Sequence, residues 1–330
     1  MTKAKVSFLE SYRKMLMDGY KATIVSHGSK KDNYDFVGLS HIHSDDWDKQ
    51  MIDLFVKDLL GYCYSEKELE SKFFTGLDKI EAYIKKAIKD RLNKRIPNAQ
   101  NISDADKVKA FAQIDGLCGE ILLDIILKME HADYQTLLCR PLYQQLGERS
   151  ELKNYDTLLF TLKDSTTKLV LGQVKTGGFD YCKTGIKTDL DTKYKQPYFG
   201  EALCYVADKH MAEQPKGLEE IITAINSIAF ESIDDKTRHL NICKLLKDKK
   251  VIISIPCVLF YGNKKVYENE KDIKKLVLEE REKIVNHFKG TKFDIADFSY
   301  EIIFYVFPAK DIDLLREAVL GKKLEVLSGN

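Results

Sequence analysis

Two stretches near the start of the chain repeat hydrophobic residues with the spacing of an amphipathic helix. The apolar side chains of residues 51–60, and again those of residues 80–88, recur with the helical period. This period places them along one face of a helix, where they can be buried against a core. We therefore expect residues 1–100 to form a mostly helical N-terminal region.

Pro97 and the polar residues 98–104 interrupt this helical pattern. Ser103 stands where it can cap a following helix, because a serine side chain accepts a hydrogen bond from the first helical turn. The apolar periodicity then resumes and predicts a long helix that ends at about Met129. These features place a domain boundary near residue 100 and assign residues 101–330 to a second domain.

The second domain alternates strands with helices. Short runs rich in β-branched and aromatic residues predict strands, and longer periodic runs predict helices. The predicted strands cover 136–143, 156–162, 168–175, 251–261 and 300–307, the predicted helices cover 198–211, 218–230 and 270–288, and a loop rich in glycine and lysine covers 176–189. This order indicates an α/β fold in which helices cover both faces of a mixed sheet.

Three polar side chains are predicted to meet at one end of a β-hairpin. The polar residues 163–167 form its turn, so Asp156, at the start of the first strand, lies beside the end of the second. Side chains alternate between the two faces of a strand, so Gln173 and Lys175 point to one face and Val174 points to the other. An aspartate, a glutamine and a lysine then converge at one edge of an otherwise apolar hairpin.

This set of groups suits the hydrolysis of a phosphodiester bond. Mg²⁺ or Mn²⁺ needs oxygen ligands, and a nearby cation positions the attacking water and offsets the developing charge. Asp156 supplies a carboxylate, while the side chain of Gln173 and the backbone of Val174 supply neutral carbonyl oxygens. Lys175 supplies the cation that orients or deprotonates the water. One carboxylate carries too little charge to hold a divalent ion well, so a second is expected elsewhere.

The helix that precedes the hairpin offers the second carboxylate. Glu120 lies in a segment that is apolar on nearly every face, where an unpaired carboxylate is costly to bury. Gly116 and Gly119 would let this helix approach the sheet closely. Coordination of a metal ion would compensate for the burial of Glu120. An ion pair with Lys128 or Arg140 would do the same, and this alternative stays open.

The predicted loop after the hairpin mixes glycines, aromatic residues and lysines. Lys183 and Lys187 are candidates for contacts with DNA phosphates, and Phe179 or Tyr181 could stack on a base. An ordinary surface loop would show the same composition, so this pattern alone does not decide between the two.

Composition restricts how the chain could hold DNA. With 52 basic and 51 acidic residues its net charge is +1, so DNA would have to be held by local patches, by a homodimer or by a partner protein. The seven cysteines form no CxxC pair, which excludes a zinc ribbon and favours a reducing compartment. The sequence has neither a membrane-span pattern nor a secretory-signal pattern, so we expect a cytoplasmic protein. It also lacks a phosphate-binding loop for ATP hydrolysis.

The order of these residues resembles that of the PD-(D/E)xK nuclease superfamily, which has a helix glutamate, a strand aspartate and a lysine signature on the next strand. The matching residues are Glu120, Asp156, Gln173 and Lys175. The chain departs from the pattern at Gln173, where an acidic residue is usual, and at Tyr155, where proline is common. A Gln-x-Lys variant also occurs in active Mrr-like nucleases. The resemblance implies a restriction-endonuclease-like mixed sheet flanked by helices and a Mg²⁺- or Mn²⁺-dependent deoxyribonuclease.

Further segments along the chain resemble the HamA family, the nuclease subunits of Hachiman anti-phage systems. These segments are 119–123, 155–160, 172–176, 255–261 and 305–311. This resemblance implies a DNA-degrading effector that is controlled by a helicase or ATPase partner of the HamB type.

Two other functions fit parts of the sequence. The neutral Gln173 is compatible with a nuclease fold that has lost its metal and only docks a partner or a DNA end. His41, His43 and Asp45 approach the zinc signature His-x-His-x-Asp-His, but Asp46 stands in place of the final histidine. Turn residues that cap a helix beginning at about residue 46 or 47 explain this segment more simply.

Overall fold

Helices and strands alternate along the chain, as the hydrophobic pattern predicts. The computed structural model describes residues 7–20, 22–27, 34–41, 47–64, 66–72, 76–93, 95–97, 103–130, 135–139, 155–194, 203–204, 217–268, 270–291 and 298–328. No helix in these ranges is both long enough and apolar enough to cross a membrane.

Ten α-helices occur in the described ranges. They are α1 (Phe8–Gly19), α2 (Trp47–Cys63), α3 (Glu66–Lys72), α4 (Ile80–Ala87), α5 (Asp104–Glu130), α6 (Phe179–Lys193), α7 (Glu219–Glu231), α8 (Asp235–Asp248), α9 (Glu270–Phe288) and α10 (Ile312–Ser328). A π-helical turn at Ile88–Leu92 continues α4, and 3₁₀ turns lie at Leu77–Lys79 and Lys264–Tyr267.

The described strands form one mixed sheet. They are β1 (Ala22–His27), β2 (Tyr34–His41), β3 (Gln135–Cys139), β4 (Thr157–Lys163), β5 (Thr166–Gly177), β6 (Ile252–Gly262) and β7 (Tyr300–Ala309). Their order across the sheet is β1-β2-β7-β6-β5-β4-β3. The four neighbouring strands β2, β7, β6 and β5 are parallel to one another. The β1–β2, β5–β4 and β4–β3 pairs are antiparallel. The chain is therefore a mixed α/β protein with helices at its N-terminus.

Helices cover both faces of this sheet. Helix α5 packs against β4, β5 and β6, and α2 and α10 pack against α5. On the other face, α6 packs against β5 and β6, and α9 packs against β1, β2 and β7. Strand β6 is buried along nearly its whole length, as expected for a central strand enclosed by helices.

Several predictions of single elements are confirmed. The long helix is α5, and the backbone N–H of Asp106 donates to the side chain of Ser103 (3.2 Å), which is the expected cap. The hairpin is β4–β5, and the strands and helices predicted at 218–230, 251–261, 270–288 and 300–307 are α7, β6, α9 and β7. The helix predicted to begin at about residue 46 or 47 is α2.

The predicted loop at 176–189 is wrong, because residues from Phe179 onward form α6. The N-terminal hundred residues also contain two strands that the helical pattern did not reveal. One of them, β2, pairs in parallel with β7, so this region contributes to the same sheet as the rest. The domain boundary near residue 100 stays a prediction. Of the predicted helix 198–211 only residues 203–204 are described, and residues 140–143 of a predicted strand lie outside the described ranges.

Candidate functional site

The β4–β5 hairpin places Asp156 beside Gln173 and Val174. The turn between the strands contains Asp164 and Ser165, which both adopt positive φ angles (48° and 64°), as the tightest hairpin turns require. The backbone N–H of Asp156 donates to the carbonyl of Gly172 (3.1 Å), and Asp156 Oδ2 accepts from the N–H of Val174 (2.7 Å). These bonds fix the carboxylate of Asp156 at the edge of the hairpin.

Side chains of β5 alternate between the two helical layers, as predicted. A Cβ atom on Gly119 of α5 would lie 2.5 Å from Thr176 Oγ1 and 2.8 Å from Val174 Cγ2. This close approach explains why a small residue is needed at position 119. Gln173 and Lys175 instead contact α6. The sheet therefore separates Glu120, on α5, from the signature side chains of β5.

Glu120 is held by two residues of the N-terminal region. Arg95 Nη2 lies 2.7 Å from Glu120 Oε1, and Arg95 Nη1 lies 2.9 Å from Oε2. The hydroxyl of Tyr62, on α2, also donates to Oε2. The ion-pair alternative for Glu120 is thus present, but its partner is Arg95. Lys128 instead contacts Asp124 and Asp58 (2.6 Å each), and Arg140 lies outside the described residues.

Glu120 and Asp156 influence each other electrostatically. Burial and the negative charge of Glu120 raise the pKa of Asp156 to about 6, although the hydrogen bond from Val174 and the charges of Lys193 and Lys175 act in the opposite direction. A cation beside Asp156 would offset the repulsion that the charge of Glu120 exerts on it. Within the described residues, no three acidic, histidine or cysteine side chains lie close enough together to hold a metal ion. A pair of carboxylates nevertheless fits Mg²⁺, which usually keeps several water ligands.

On the other face of β5, two residues of α6 complete a polar network. The Nζ of Lys175 lies 2.6 Å from Asp189 Oδ2, and the Nζ of Lys193 lies 3.1 Å from the same oxygen. Lys193 also donates to Gln173 Oε1 (3.0 Å), and Gln173 Nε2 donates to the carbonyl of Gly172 (3.0 Å). The buried amide of Gln173 is therefore bonded at both ends.

The sequence did not reveal four residues that contact the predicted site residues: Tyr62 and Arg95, which bond Glu120, and Asp189 and Lys193, which bond Lys175 and Gln173. Asp189 and Lys193 are four residues apart on α6, and this spacing typically pairs opposite charges on a helix. The spacing of Asp189 and Lys193 therefore indicated a helix, but Asp189 fell at the end of a segment that was predicted to be a loop. Tyr62 and Arg95 reach the site only through the packing of α2 and of the π-helical turn, which no local pattern predicts.

Lys183 and Lys187, the predicted DNA contacts, lie on α6 rather than in a loop. Burial and the charges of these two lysines lower the pKa of His287 on α9, so the three side chains are neighbours. Lys183 and Lys283 both lie over the ring of Phe179, at 5.6 and 5.8 Å from its centre. Lys183, Lys187 and Lys283 are called the basic patch below; within it, Lys183 pairs with Asp180 (3.0 Å) and its side chain is 16% exposed. The alternative zinc site cannot be placed, since His43 and Asp45 lie outside the described residues.

The fold and this site define a mixed α/β protein in which Asp156, at the edge of a β-hairpin, lies within electrostatic reach of Glu120 in one helical layer and of two lysines in the other. The model of the HamA family matches residues 20–322, so the chain belongs to the HamA family. This membership supports a role in Hachiman anti-phage defence. Comparisons with curated proteins and with solved structures gave no match.

Proposed function

We propose that the chain is a metal-dependent DNA nuclease of the PD-(D/E)xK kind and the effector of a Hachiman defence system. The observation that carries this proposal is the position of Asp156, which lies within electrostatic reach of Glu120 on one side and of Lys175 on the other. Metal-assisted phosphodiester hydrolysis needs carboxylates to hold the metal ion and a nearby cation to position the attacking water, and these groups supply both.

Glu120 and Asp156 would hold Mg²⁺ or Mn²⁺, helped by the backbone carbonyl of Val174. The bound ion would supply Lewis-acid stabilisation of the charge that develops on the phosphate. The side chain of Gln173 is bonded to Lys193 on the other face of β5, so it is not assigned as a ligand of this ion. Glu120 would bind the ion only after its carboxylate exchanges the contact with Arg95. The pair between Glu120 and Arg95 thus keeps the buried carboxylate neutralised until a metal ion binds.

Lys175 would orient the attacking water and stabilise negative charge. Burial lowers the pKa of Lys175, but its hydrogen bond to Asp189 and the charge of Asp189 outweigh this effect, so the pKa lies above its ordinary value. Lys175 is therefore a cation at neutral pH and a poor base. Of the two roles that the sequence allows it, positioning the water is the one that the charges favour.

DNA would reach the site across the basic patch on α6 and α9. Lys183, Lys187 and Lys283 offer charges to phosphates, and Tyr181 is 64% exposed and free to stack on a base. Because the net charge of the chain is only +1, the positive charge that would attract DNA is a local feature of this patch. We therefore propose that a helicase or ATPase partner of the HamB type, or a second copy of the chain, delivers DNA to the site in the cytoplasm.

The proposal is tested by incubating the purified chain with supercoiled and linear DNA, in EDTA and with Mg²⁺ or Mn²⁺. The wild type should cleave only with metal, and Lys175→Ala should lower the rate at least about 100-fold. Lys244→Ala, which changes an exposed lysine on α8, is the control and should cleave like the wild type. Equal cleavage by wild type and Lys175→Ala would refute the assignment of the site.

A second candidate function is a nuclease fold that has lost its metal and docks a partner or a DNA end. The neutral Gln173 and the fully occupied carboxylate of Glu120 favour it. This function predicts binding of DNA or of the partner with the same affinity in EDTA and in Mn²⁺, and no cleavage under either condition.

A further inference from the structure

The signature on β5 lacks a negative charge that its lysine could use. Gln173 is buried and neutral, and its amide is bonded to Lys193 and to the carbonyl of Gly172. Its side chain therefore cannot balance the charge of Lys175, which lies on the same face of the strand two residues later. A buried ammonium group without a nearby anion would be costly.

Asp189 supplies that anion from α6. Its carboxylate lies 2.6 Å from Lys175 Nζ and 3.1 Å from Lys193 Nζ. The side chains of Asp189 and Lys175 are 12% and 21% exposed, so the pair is partly shielded from water and is stronger than a surface ion pair. One carboxylate thus contacts both Lys175 and Lys193, and Lys193 is also bonded to Gln173.

The surface of α6 is shaped for this contact. Gly185 lies one helical turn before Asp189, and a Cβ atom there would lie 3.1–3.3 Å from three carbons of the Lys175 side chain. The absent side chain leaves room for the stem of Lys175 to pass over the helix and reach Asp189. This geometry is independent of the charges and fixes where the ammonium group can lie.

We propose that Asp189 takes the place of the acidic residue missing at position 173 and acts as the positioning residue of Lys175. The carboxylate holds the ammonium group beside Asp156, where the attacking water would be oriented. Asp189 acts through Lys175 and is not assigned as a metal ligand. This inference rests on the proposed nuclease function, but the anchoring of Lys175 can be measured without it.

The central test compares Asp189→Asn with the wild type in metal-dependent DNA cleavage. Asparagine has nearly the same shape but no charge, so the fold should survive, and a thermal melt checks this. We expect kcat to fall about 100-fold because Lys175 is misplaced, with KM changed less than about twofold. The affinity for Mn²⁺ should also change less than about twofold. Asp191→Asn, which alters an exposed carboxylate of the same helix, should leave all these values unchanged.

A double variant that moves the carboxylate from α6 to β5 distinguishes positioning of Lys175 from a merely structural role of Asp189. In the double variant Gln173→Glu with Asp189→Asn, the carboxylate moves to β5, within reach of Lys193 and on the same face as Lys175. Since glutamate has the shape of glutamine, we expect this variant to recover at least about tenfold of the lost kcat. The inference would be overturned if the double variant recovers no activity or if Asp189→Asn keeps the wild-type kcat. It would also be overturned if Asp189→Asn binds Mn²⁺ as weakly as Asp156→Asn does.

The anchoring itself is read out by acetylation of lysines at one fixed pH, followed by mass spectrometry. Lys175 should react several-fold faster in Asp189→Asn than in the wild type, with Lys187 as the internal reference. Unchanged reactivity of Lys175 overturns the inference even if DNA is cleaved. Increased reactivity in a chain whose wild type cleaves no DNA supports the anchoring and counts only against DNA cleavage by the chain on its own.

Discussion

Arg95 and Glu120 form an ion pair at one of the two carboxylates of the proposed metal site. Their side chains are 15% and 11% exposed, and the pair is bidentate. Removing one member of such a pair leaves the other charge buried without compensation. The pair therefore stabilises the metal-free protein and competes with the proposed metal ion for the same oxygens.

Arg95→Met should lower the free energy of unfolding by about 3 kcal/mol in EDTA, because Glu120 loses its counter-charge. Mn²⁺ should restore part of this loss, since a bound ion would neutralise Glu120 instead. Urea unfolding in EDTA and in Mn²⁺ measures both effects. Arg91→Met is the matched control, because Arg91 pairs with Glu68 at a more exposed position (30% and 21%) and should cost about 1 kcal/mol or less. If Mn²⁺ restores nothing in Arg95→Met, Glu120 is a structural residue only.

Glu280 on α9 is a second buried carboxylate, far along the chain from the proposed site residues. Burial raises its pKa to about 7, against a smaller opposite effect of Lys283. Its Oε1 accepts from Asn263 (3.2 Å), while Oε2 has no hydrogen-bond partner among the described residues. The folded state therefore holds this proton at pH values where the unfolded chain has released it.

Because the pKa is raised on folding, Glu280 should make the protein less stable as the pH rises from the ordinary range of a carboxyl group to about 7. Glu280→Gln removes the titration, so the variant should gain stability over the wild type between pH 5 and pH 8, by on the order of 1 to 3 kcal/mol. Denaturant unfolding at these two pH values measures the gain. Glu279→Gln, at an exposed neighbouring position (52%), should show no such trend. A pH-independent difference for Glu280→Gln would contradict the assignment.

At the scale of elements, the contact between α5 and β5 places Glu120 near the hairpin. It depends on Gly119, where an added methyl group would collide with Val174 and Thr176. Gly119→Ala should lower the free energy of unfolding by about 1–3 kcal/mol, as overpacking does. Gly116→Ala is the control, because the nearest atom to its added Cβ would be 4.0 Å away, and it should be neutral or stabilising by up to about 1 kcal/mol. Equal effects of the two substitutions on unfolding would show that α5 does not approach β5 as described.

The sequence predicted those elements whose signal is local. Strand alternation, a polar turn and an apolar helix were enough to place Asp156, Gln173, Lys175 and Glu120 on the correct elements. Helix α6 was missed because glycines at its start and interior resemble a loop. Gly177 has a φ of +152° and Gly178 caps the helix, but Gly185 lies inside it and makes room for Lys175. The need for glycine at position 185 comes from the side chain of Lys175 on β5, a contact that sequence periodicity does not reveal.

Contacts between distant parts of the chain were beyond prediction from the sequence. The parallel pairing of β2 with β7 joins residues separated by most of the chain. The contact of Arg95 with Glu120 similarly depends on the packing of the N-terminal helices. Lys323 on α10 donates to the backbone carbonyls of Asn93 and Ile96, on either side of Arg95. The C-terminal helix therefore helps to hold the residue that neutralises Glu120.

Across the whole molecule the net charge is only +1, so the proposed DNA binding would depend on the basic patch on α6 and α9. Replacing Lys183 and Lys187 together by glutamine should weaken DNA binding and reduce the slope of log affinity against log salt by about two. Titration of labelled DNA at several salt concentrations measures this slope. Lys236 and Lys244, which are exposed on α8, serve as the control pair. An unchanged slope in the Lys183 and Lys187 variant would exclude the patch as the DNA-binding surface.

We propose that Glu120 and Asp156 form a divalent metal site beside Lys175, and a titration of Mn²⁺ into the purified chain, with the free ion followed by electron paramagnetic resonance, measures this site. We expect the wild type to bind Mn²⁺, with an affinity that is at least about tenfold weaker in Asp156→Asn and nearly unchanged in Lys175→Ala. Equal affinity in the wild type and Asp156→Asn, or no binding by the wild type, would contradict it.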